Sequence, residues 1–475
     1  MRPTTSLLFL PMAIYLIVVI VWQAQGTNPI TGDEPHYLLV ADSLLRDGDL
    51  EVLNNYRIAT PVSQELPGGV APADTHTQGG HSIHGVGLPL LLLPAYALGG
   101  VLGAKLWLAL LVGIAPLAIY RAGREIMPES AWPLAIALLV GLGQPFVIGA
   151  GQIYPDLIAG LIMLWLLGRI SGPHPLSPSP AAAGEGGRAA RWYGMWADAL
   201  LLAYLPWLHI KFLLPAAIIC LAYLPVVAIW RLRRQIATTA ILAAALLGLA
   251  CYNQWAFGSP LGPYQPGDVS WSPAQIAMVF LGLHIDRMQG IFFQAPLLLL
   301  GVFGLAIMAA ENRRLAILAG LVYLSVMLPH AAHTNWYGGT SFAGRFFWST
   351  AALWCLPLLY AVRSLRTRPR LLVCLLAAAA LAQGVFLSKV LIPNGYTYNT
   401  TARGAASWLG SDPYADFFDL SAGLREQLLP SFRDVDGYLR SPANWACIGM
   451  LGCLAGAGYC ARGRRAARQA SATNV

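Results

Sequence analysis

Apolar runs of about the length needed to cross a hydrocarbon core recur along nearly the whole chain, separated by short polar connections. The first is Leu7 to Ala24. The others predict crossings at Ala104 to Tyr120, Trp132 to Ala150, Ile153 to Leu167, Tyr193 to His209, Phe212 to Trp230, Ile236 to Phe257, Gly290 to Ala309, Leu315 to Pro329, Phe347 to Val362, Leu371 to Leu387 and Ala443 to Tyr459. This pattern predicts an all-α, polytopic membrane protein of about twelve transmembrane helices, within a range of about eleven to thirteen. A cleavable signal peptide is the rival for the first run, but no Ala-x-Ala-like site follows Trp22 and the run is longer than a typical signal core. One segment breaks the alternation. Val86 to Gly100 is apolar enough to cross, yet counting it would invert everything after it, so an interfacial or partly inserted helix is expected, short or broken at Pro89, Pro94 and Gly99-Gly100.

Composition agrees, since 57% of the 475 residues are hydrophobic and 11% charged, too few charges to solvate a globular surface. The formal charge of +8 is clustered as arginine in short loops: Arg121/Arg124, Arg231/Arg233/Arg234, Arg313/Arg314, Arg363/Arg366/Arg368/Arg370 and Arg462/Arg464/Arg465/Arg468. The positive-inside rule places these loops and both termini in the cytoplasm and removes the reason to invoke nucleic acid. Three long segments then lie outside, 25–85, 258–289 and 391–442, with a short fourth, 333–346; they carry most carboxylates, and the outer side, with the span ends at His209 and His330, holds every histidine but His174. The divisions expected are a membrane core over 1–390, an outer segment over 391–442, and a last helix with a basic tail over 443–475. The cytoplasmic tract from Gly172 to Arg191, rich in Pro, Ala, Gly and Ser, cannot build a core. All seven cysteines sit in apolar segments, which points to packing rather than disulfides or zinc.

Candidate chemistry begins just after the first span, at Gly32-Asp33-Glu34-Pro35-His36-Tyr37. Tyr37 to Leu45 reads as an amphipathic helix stopped by Asp47-Gly48, which makes Asp33 a helix cap and Pro35 a first-turn residue. The functional alternative is compatible with it: paired carboxylates at a membrane surface divide labour, one as base and the other orienting a substrate. Arg345, flanked by Gly338, Gly339 and Gly344, is either a bidentate phosphate ligand or a snorkelling arginine at a helix end. Lys211 and Lys389 carry the same two readings. His330, His333 and the pair His284/Asp286, with His81 or His84, form a candidate divalent-cation set, or are hydrogen-bonding loop residues. No cofactor is otherwise indicated.

The order of Gly-Asp-Glu-Pro-His-Tyr, His84-Gly-x-Gly-Leu-Pro89, Tyr154-Pro155-Asp156 and Trp336-Tyr337-Gly338-Gly339-x-Ser341-Phe342-x-Gly344-Arg345 resembles the GT-C membrane glycosyltransferases. It is most similar to bacterial relatives of the protein O-mannosyltransferases and of the lipid A aminoarabinose transferase, from the first helix to about Pro357. The resemblance implies a GT-C core with juxtamembrane outer loops in a bacterial inner membrane, and an active site facing the periplasm. The implied partners are a polyprenyl-phosphate sugar donor and a glycan, lipid or protein acceptor, with transfer by inversion. It maps the catalytic carboxylate to Asp33, with Glu34 beside it, and substrate contacts to His36, Tyr37, His84, Asp156, Lys211, Trp336, Arg345 and Lys389. The family's Lys-Pro-Pro-like stretch is replaced here by His81-Ser82-Ile83-His84-Gly85. The alternatives are a glycan ligase or polymerase, which transfers a preassembled glycan, and a non-enzymatic transporter or flippase, which would favour ionisable residues at the bilayer midplane. Asp198 is the main residue so placed.

Overall fold

In a computed structural model the chain is a bundle of apolar helices with a two-stranded hairpin on one end. It describes residues 6–66, 76–171, 185–222, 229–263, 269–336, 338, 341–391 and 412–473, leaving out the side chains of 171, 185–195, 229–235 and 464–473. His174 and most of the Pro-rich tract, Tyr337, Gly339 and Trp408 lie outside the described residues. Among the described residues six helical stretches are long and apolar enough to cross a membrane: Leu7–Gln25, Gly87–Ile126, Ile236–Phe257, Arg313–Ala332, Arg345–Leu365 and Pro369–Val390. Shorter apolar helices, such as Trp132–Gly141 and Ile210–Ala222, fill the bundle between them.

Helix α1 (Leu10–Gln25) starts with proline in its first turn and ends at Gly26, whose φ of 63° is a left-handed stop that glycine adopts without strain. Helix α2 (Glu34–Arg46) lies just beyond it, and its first ten residues are buried. The expected amphipathic helix is therefore present, begins three residues early, and ends at Asp47-Gly48 as its sequence indicated. Helix α3 (Gly87–Val112) breaks at Gly99 and Gly100, where Gly100 has φ 58° and ψ −144°. The chain folds back at this break: the Trp107 indole donates to Leu91 O, and a Cβ on Gly103 would stand 2.3 Å from Ala95 O. At about 1.5 Å per residue, the piece before the break reaches roughly 18 Å, short of a ~30 Å hydrocarbon core. Helix α4 (Ala115–Ile126) continues from α3 to the Arg121/Arg124 cluster.

Two expected crossings are interrupted. Trp132 to Ala150 is helix α5 (Trp132–Gly141), then a turn over Leu142 to Pro145, then a single turn at Phe146–Gly149. Gly290 to Ala309 divides at Pro296, which has no N–H to continue the ladder, and resumes as α11 (Leu300–Glu311) once α6 (Asp156–Ser171), α7 (Glu185–Leu208), α8 (Leu213–Ala222), α9 (Ile229–Phe257) and α10 (Pro273–Ile285) have been placed. Helix α10 falls in the segment read as an outer loop, yet it is apolar and packs along α12 (Arg313–Ala332).

Close packing between helices is set by small residues, as in membrane bundles generally. Helix α13 (Arg345–Ala351) crosses α6 at Gly160, where a Cβ would meet Ser349 O at 2.6 Å. Helix α14 (Cys355–Leu365) lies so near α11 that a Cβ on Gly304 would be 1.9 Å from Pro357 O. After α15 (Pro369–Val390), residues 412–440 form a segment held by the buried Arg287, which pairs with Asp412 at 3.1 Å and Glu426 at 2.8 Å. Helix α16 (Pro442–Thr473) closes the chain. All seven cysteines are free.

Arginines and cavity residues sit at opposite ends of the same helices. Helix α6 carries Asp156 at its start and Arg169 near its end; the stretch Arg345–Leu365 carries Arg345 at its start and Arg363 near its end. Arg169 pairs with Asp198 at 3.1 Å, and Arg363 with Glu311 at 2.8 Å. Asp198 is thus paired at the arginine end rather than standing as a lone charge.

Candidate active site

A cavity of about 730 Å³ opens at the end of the bundle away from the arginine clusters. Its walls come from the start of α2, the loop before α3, the starts of α6 and α13, and the ends of α7, α9 and α12. Each helix delivers one terminus here, so the charged groups are held on rigid elements.

Asp33 and Arg345 face each other across it. The guanidinium donates from Nη1 to Asp33 Oδ2 at 2.8 Å and lies over the Tyr154 ring, 4.4 Å from its centroid. Tyr154 is itself fixed by its hydroxyl, which donates to Thr31 O at 3.0 Å. Two glycines make the Arg345 approach feasible. Gly344 has φ 78°, and a Cβ there would meet Phe347 at 2.3 Å and Gln294 at 2.5 Å. Gly338, at φ 82°, has its carbonyl bound by Ser341 Oγ at 2.9 Å. Glutamines set the depth of this loop: Gly344 N donates to Gln289 Oε1 at 2.6 Å, and Gln294 Nε2 to Ala343 O at 2.9 Å.

A second pair lies alongside, with Lys211 Nζ 2.6 Å from Asp156 Oδ1. His209 caps the turn that carries Lys211, its Nδ1 accepting from Lys211 N at 3.2 Å. Two cations and two carboxylates therefore share one cavity. Tyr37 lines it from α2 and is buried.

Electrostatics separates the adjacent carboxyls. Burial alone would push the Asp33 carboxyl up, but Arg345, and after it His84, His36 and His76, outweigh burial and hold it well below the usual carboxylate range. Burial pushes the Glu34 carboxyl up, against the opposing pull of Lys105 and the backbone N–H groups of Ile153 and Thr31. The geometry explains the difference. Asp33 keeps 26% of its side chain exposed, whereas Glu34 is fully buried, accepting from Thr31 N at 2.9 Å and Ile153 N at 2.8 Å.

The residues expected from sequence thus divide. Asp33, Tyr37, His84, Asp156, Lys211 and Arg345 line the cavity. Asp33 occupies the cap position of α2 but its side chain makes no capping bond; it points to Arg345 instead. Glu34 is not in the lining and ties the start of α2 to the chain before α6. His36 lies behind the wall, hydrogen-bonded to the Tyr56 hydroxyl. Trp336 is buried against Gly282 of α10, and Lys389, half-buried on the last turn of α15, is not in the lining. No described residue of 412–440 lines the cavity either.

The expected cation set does not assemble. His284 contacts Phe280 O and the Tyr323 hydroxyl, and the Asp286 carboxylate accepts from the backbone N–H groups of Met288, Gln289 and Phe432. His330 stacks on Phe346, and His81 Nδ1 contacts Leu50 O. Among the described residues, the group whose ligand atoms come within 4.8 Å of one another is His36, His76 and His84. Sequence reading passed over His76, His209 and Lys105. The signal for His76 was Gly79-Gly80, a two-residue hairpin turn that folds His76 back beside His84.

No family model matches the chain, and no curated protein matches it. Among solved structures it is similar to ArnT from Cupriavidus metallidurans, bound to undecaprenyl phosphate, at 16% identity over 98% of this chain and 79% of that one, with a TM-score of 0.47. It is also similar to the oligosaccharyltransferase of Archaeoglobus fulgidus in the apo form, at 13% identity over 83% and 55%, TM-score 0.42. A third is the oligosaccharyltransferase AglB of the same organism with an inhibitory peptide and a dolichol-phosphate, at 14% identity over 88% and 54%, TM-score 0.42. The chain spans about half the length of the two archaeal structures.

Proposed function

We propose that this chain is an inverting membrane glycosyltransferase of the GT-C type. It moves a sugar from a polyprenyl-phosphate donor to a glycan, lipid or protein acceptor on the periplasmic side of a bacterial inner membrane. The observation that carries the reading is the Asp33–Arg345 pair beside Lys211–Asp156, in one cavity at the ends of membrane-length helices. Arginine suits bidentate phosphate binding, and a lysine beside it adds a second, mobile charge.

The reaction needs one bond made and one broken. An acceptor hydroxyl oxygen attacks the anomeric carbon, the bond from that carbon to the phosphate oxygen breaks, the proton passes to a carboxylate, and the lipid phosphate leaves. In the resting pair Asp33 is a poor base, because Arg345 stabilises its ionised form. A donor phosphate that takes Arg345 for itself separates the pair and raises the Asp33 carboxyl toward the ordinary range. The base is then strongest once the donor is bound, so proton transfer follows donor binding. Glu34 acts by fixing the turn that aims Asp33, and Asp156 positions Lys211.

The test is incubation of purified protein, in detergent or nanodiscs, with a panel of polyprenyl-phosphate sugars, following donor consumption and lipid-phosphate release. Consumption of at least one donor is expected. If no donor is consumed or bound while the protein is folded, the transferase reading fails.

A further inference from the structure

We propose that His36, His76 and His84 form a binding site for a transition-metal dication of the zinc, cobalt or nickel kind, pinning the hairpin before α3 to α2. The hairpin consists of β1 (Thr77–Gln78) and β2 (His81–Ser82), paired antiparallel with Thr77 opposite Ser82 and Gln78 opposite His81. Gly79 and Gly80, at φ 60° and 90°, make the turn, and a Cβ on Gly79 would meet Ala256 O at 2.8 Å. Only glycine meets both demands there. A bond from Ile83 N to His76 O at 3.0 Å closes the base of the hairpin, so His76 and His84 leave its two ends on the same side.

There they meet His36 from α2. The His36 ring stacks on His76 at 3.8 Å and on His84 at 5.2 Å. His76 Nδ1 lies 3.2 Å from His84 Nε2. Two imidazole nitrogens on one tetrahedral ion, each at ~2.0–2.1 Å, stand about 3.3–3.4 Å apart, so this pair is already at ligand spacing. His36 is oriented from behind by the Tyr56 hydroxyl on its Nδ1, the outer-shell arrangement that presents Nε2 to a metal.

Charge suits a metal better than a proton. Burial depresses all three imidazoles, His84 to about 4, so at neutral pH they are neutral and offer lone pairs. Three nitrogen ligands select borderline dications over magnesium or calcium, which require oxygen. The bland alternative is a stacked, hydrogen-bonded cluster of neutral histidines. It accounts for the His76–His84 bond and the His36–His76 stack, and metal binding by the native chain is what separates it from the site proposed.

The site is independent of the transferase reading, and its test measures binding alone. Full-length protein without a histidine tag is stripped with chelator, exchanged into metal-free buffer and titrated with Co²⁺. The expected result is one ion per chain with the visible bands of four-coordinate cobalt, and no competition by Mg²⁺. His76→Ala, at the half-exposed end of the cluster, should weaken binding at least about tenfold, the low end of what even an outer-shell loss costs. His76→Gln repeats the test with the size and polarity kept, a thermal melt confirms that both variants fold, and His333→Ala serves as control. Absence of stoichiometric Co²⁺ binding by the native chain, or equal affinity in the native chain and folded His76 variants, overturns the site.

Discussion

Arg345→Lys separates a phosphate-gripping arginine from one that merely reaches an interface. The replacement keeps the positive charge but removes the planar fork and its stack on Tyr154, at 4.4 Å. The arginine side chain is only 11% exposed, so its bonds are made where water competes little. Loss of one charge-assisted hydrogen bond to the phosphate costs about 1.5–3 kcal/mol, and loss of the ring contact about 0.5–1 kcal/mol more. At about 1.4 kcal/mol per decade, donor affinity should fall between roughly 20-fold and several hundred-fold. The assay is equilibrium binding of a polyprenyl phosphate to protein in nanodiscs, which needs neither a sugar nor an acceptor. Lys389→Arg, outside the cavity, is the control and should bind as the native chain does. If Arg345→Lys binds polyprenyl phosphate with native affinity, the guanidinium holds no phosphate and Lys211 becomes the residue to examine.

Asp33→Asn should lower transfer by about 100 to 10,000-fold in single-turnover measurements of the folded variant, with a lower melting temperature as well, since the largely buried Arg345 loses its carboxylate partner; a nearly active variant would show that the base lies elsewhere. Gly304→Ala should destabilise the bundle by about 1–3 kcal/mol or more, because the new methyl overlaps Pro357 O, and detergent unfolding curves matching the native ones would contradict that packing. In chelator, native stability should decline as pH falls from about 6.5 toward 4. The unfolded chain takes up protons that the buried His84, lowered to about 4, refuses, so its contribution is complete above the unfolded value and lost below. Its neighbours His36 and His76 act in the same direction, Asp33 acts only at lower pH, and the raised Glu34 opposes them. Melting at pH 7 and 5 should show a smaller loss in His84→Asn than in the native chain; equal losses would refute the assignment.

Hydrophobic run length located the helices because in lipid the backbone must satisfy itself within each segment, so every helix leaves its own mark. The same measure misplaced Pro273–Ile285 and joined the pieces around Pro145 and Pro296. Run length records how apolar a stretch is, whereas these boundaries depend on where a missing N–H or a turn interrupts the ladder. Gly99-Gly100 could be read correctly because a break needs only local freedom.

The cavity was legible as a set of residue types but not as a set of partners. Asp33 and Arg345 are 312 positions apart, and nothing in either motif states that the proposed base rests on the proposed phosphate ligand. Adjacent carboxyls suggested a division of labour, yet which one faces the cavity depends on Thr31 N and Ile153 N both reaching Glu34, the second of them 119 residues away. Those two bonds turn Glu34 inward, and the helical backbone then turns its neighbour outward toward Arg345. The Asp33–Arg345 contact also gives the proposed mechanism its order. A carboxylate held by arginine is a weak base, so donor binding must come before proton transfer, and an acceptor supplied alone should leave the pair closed.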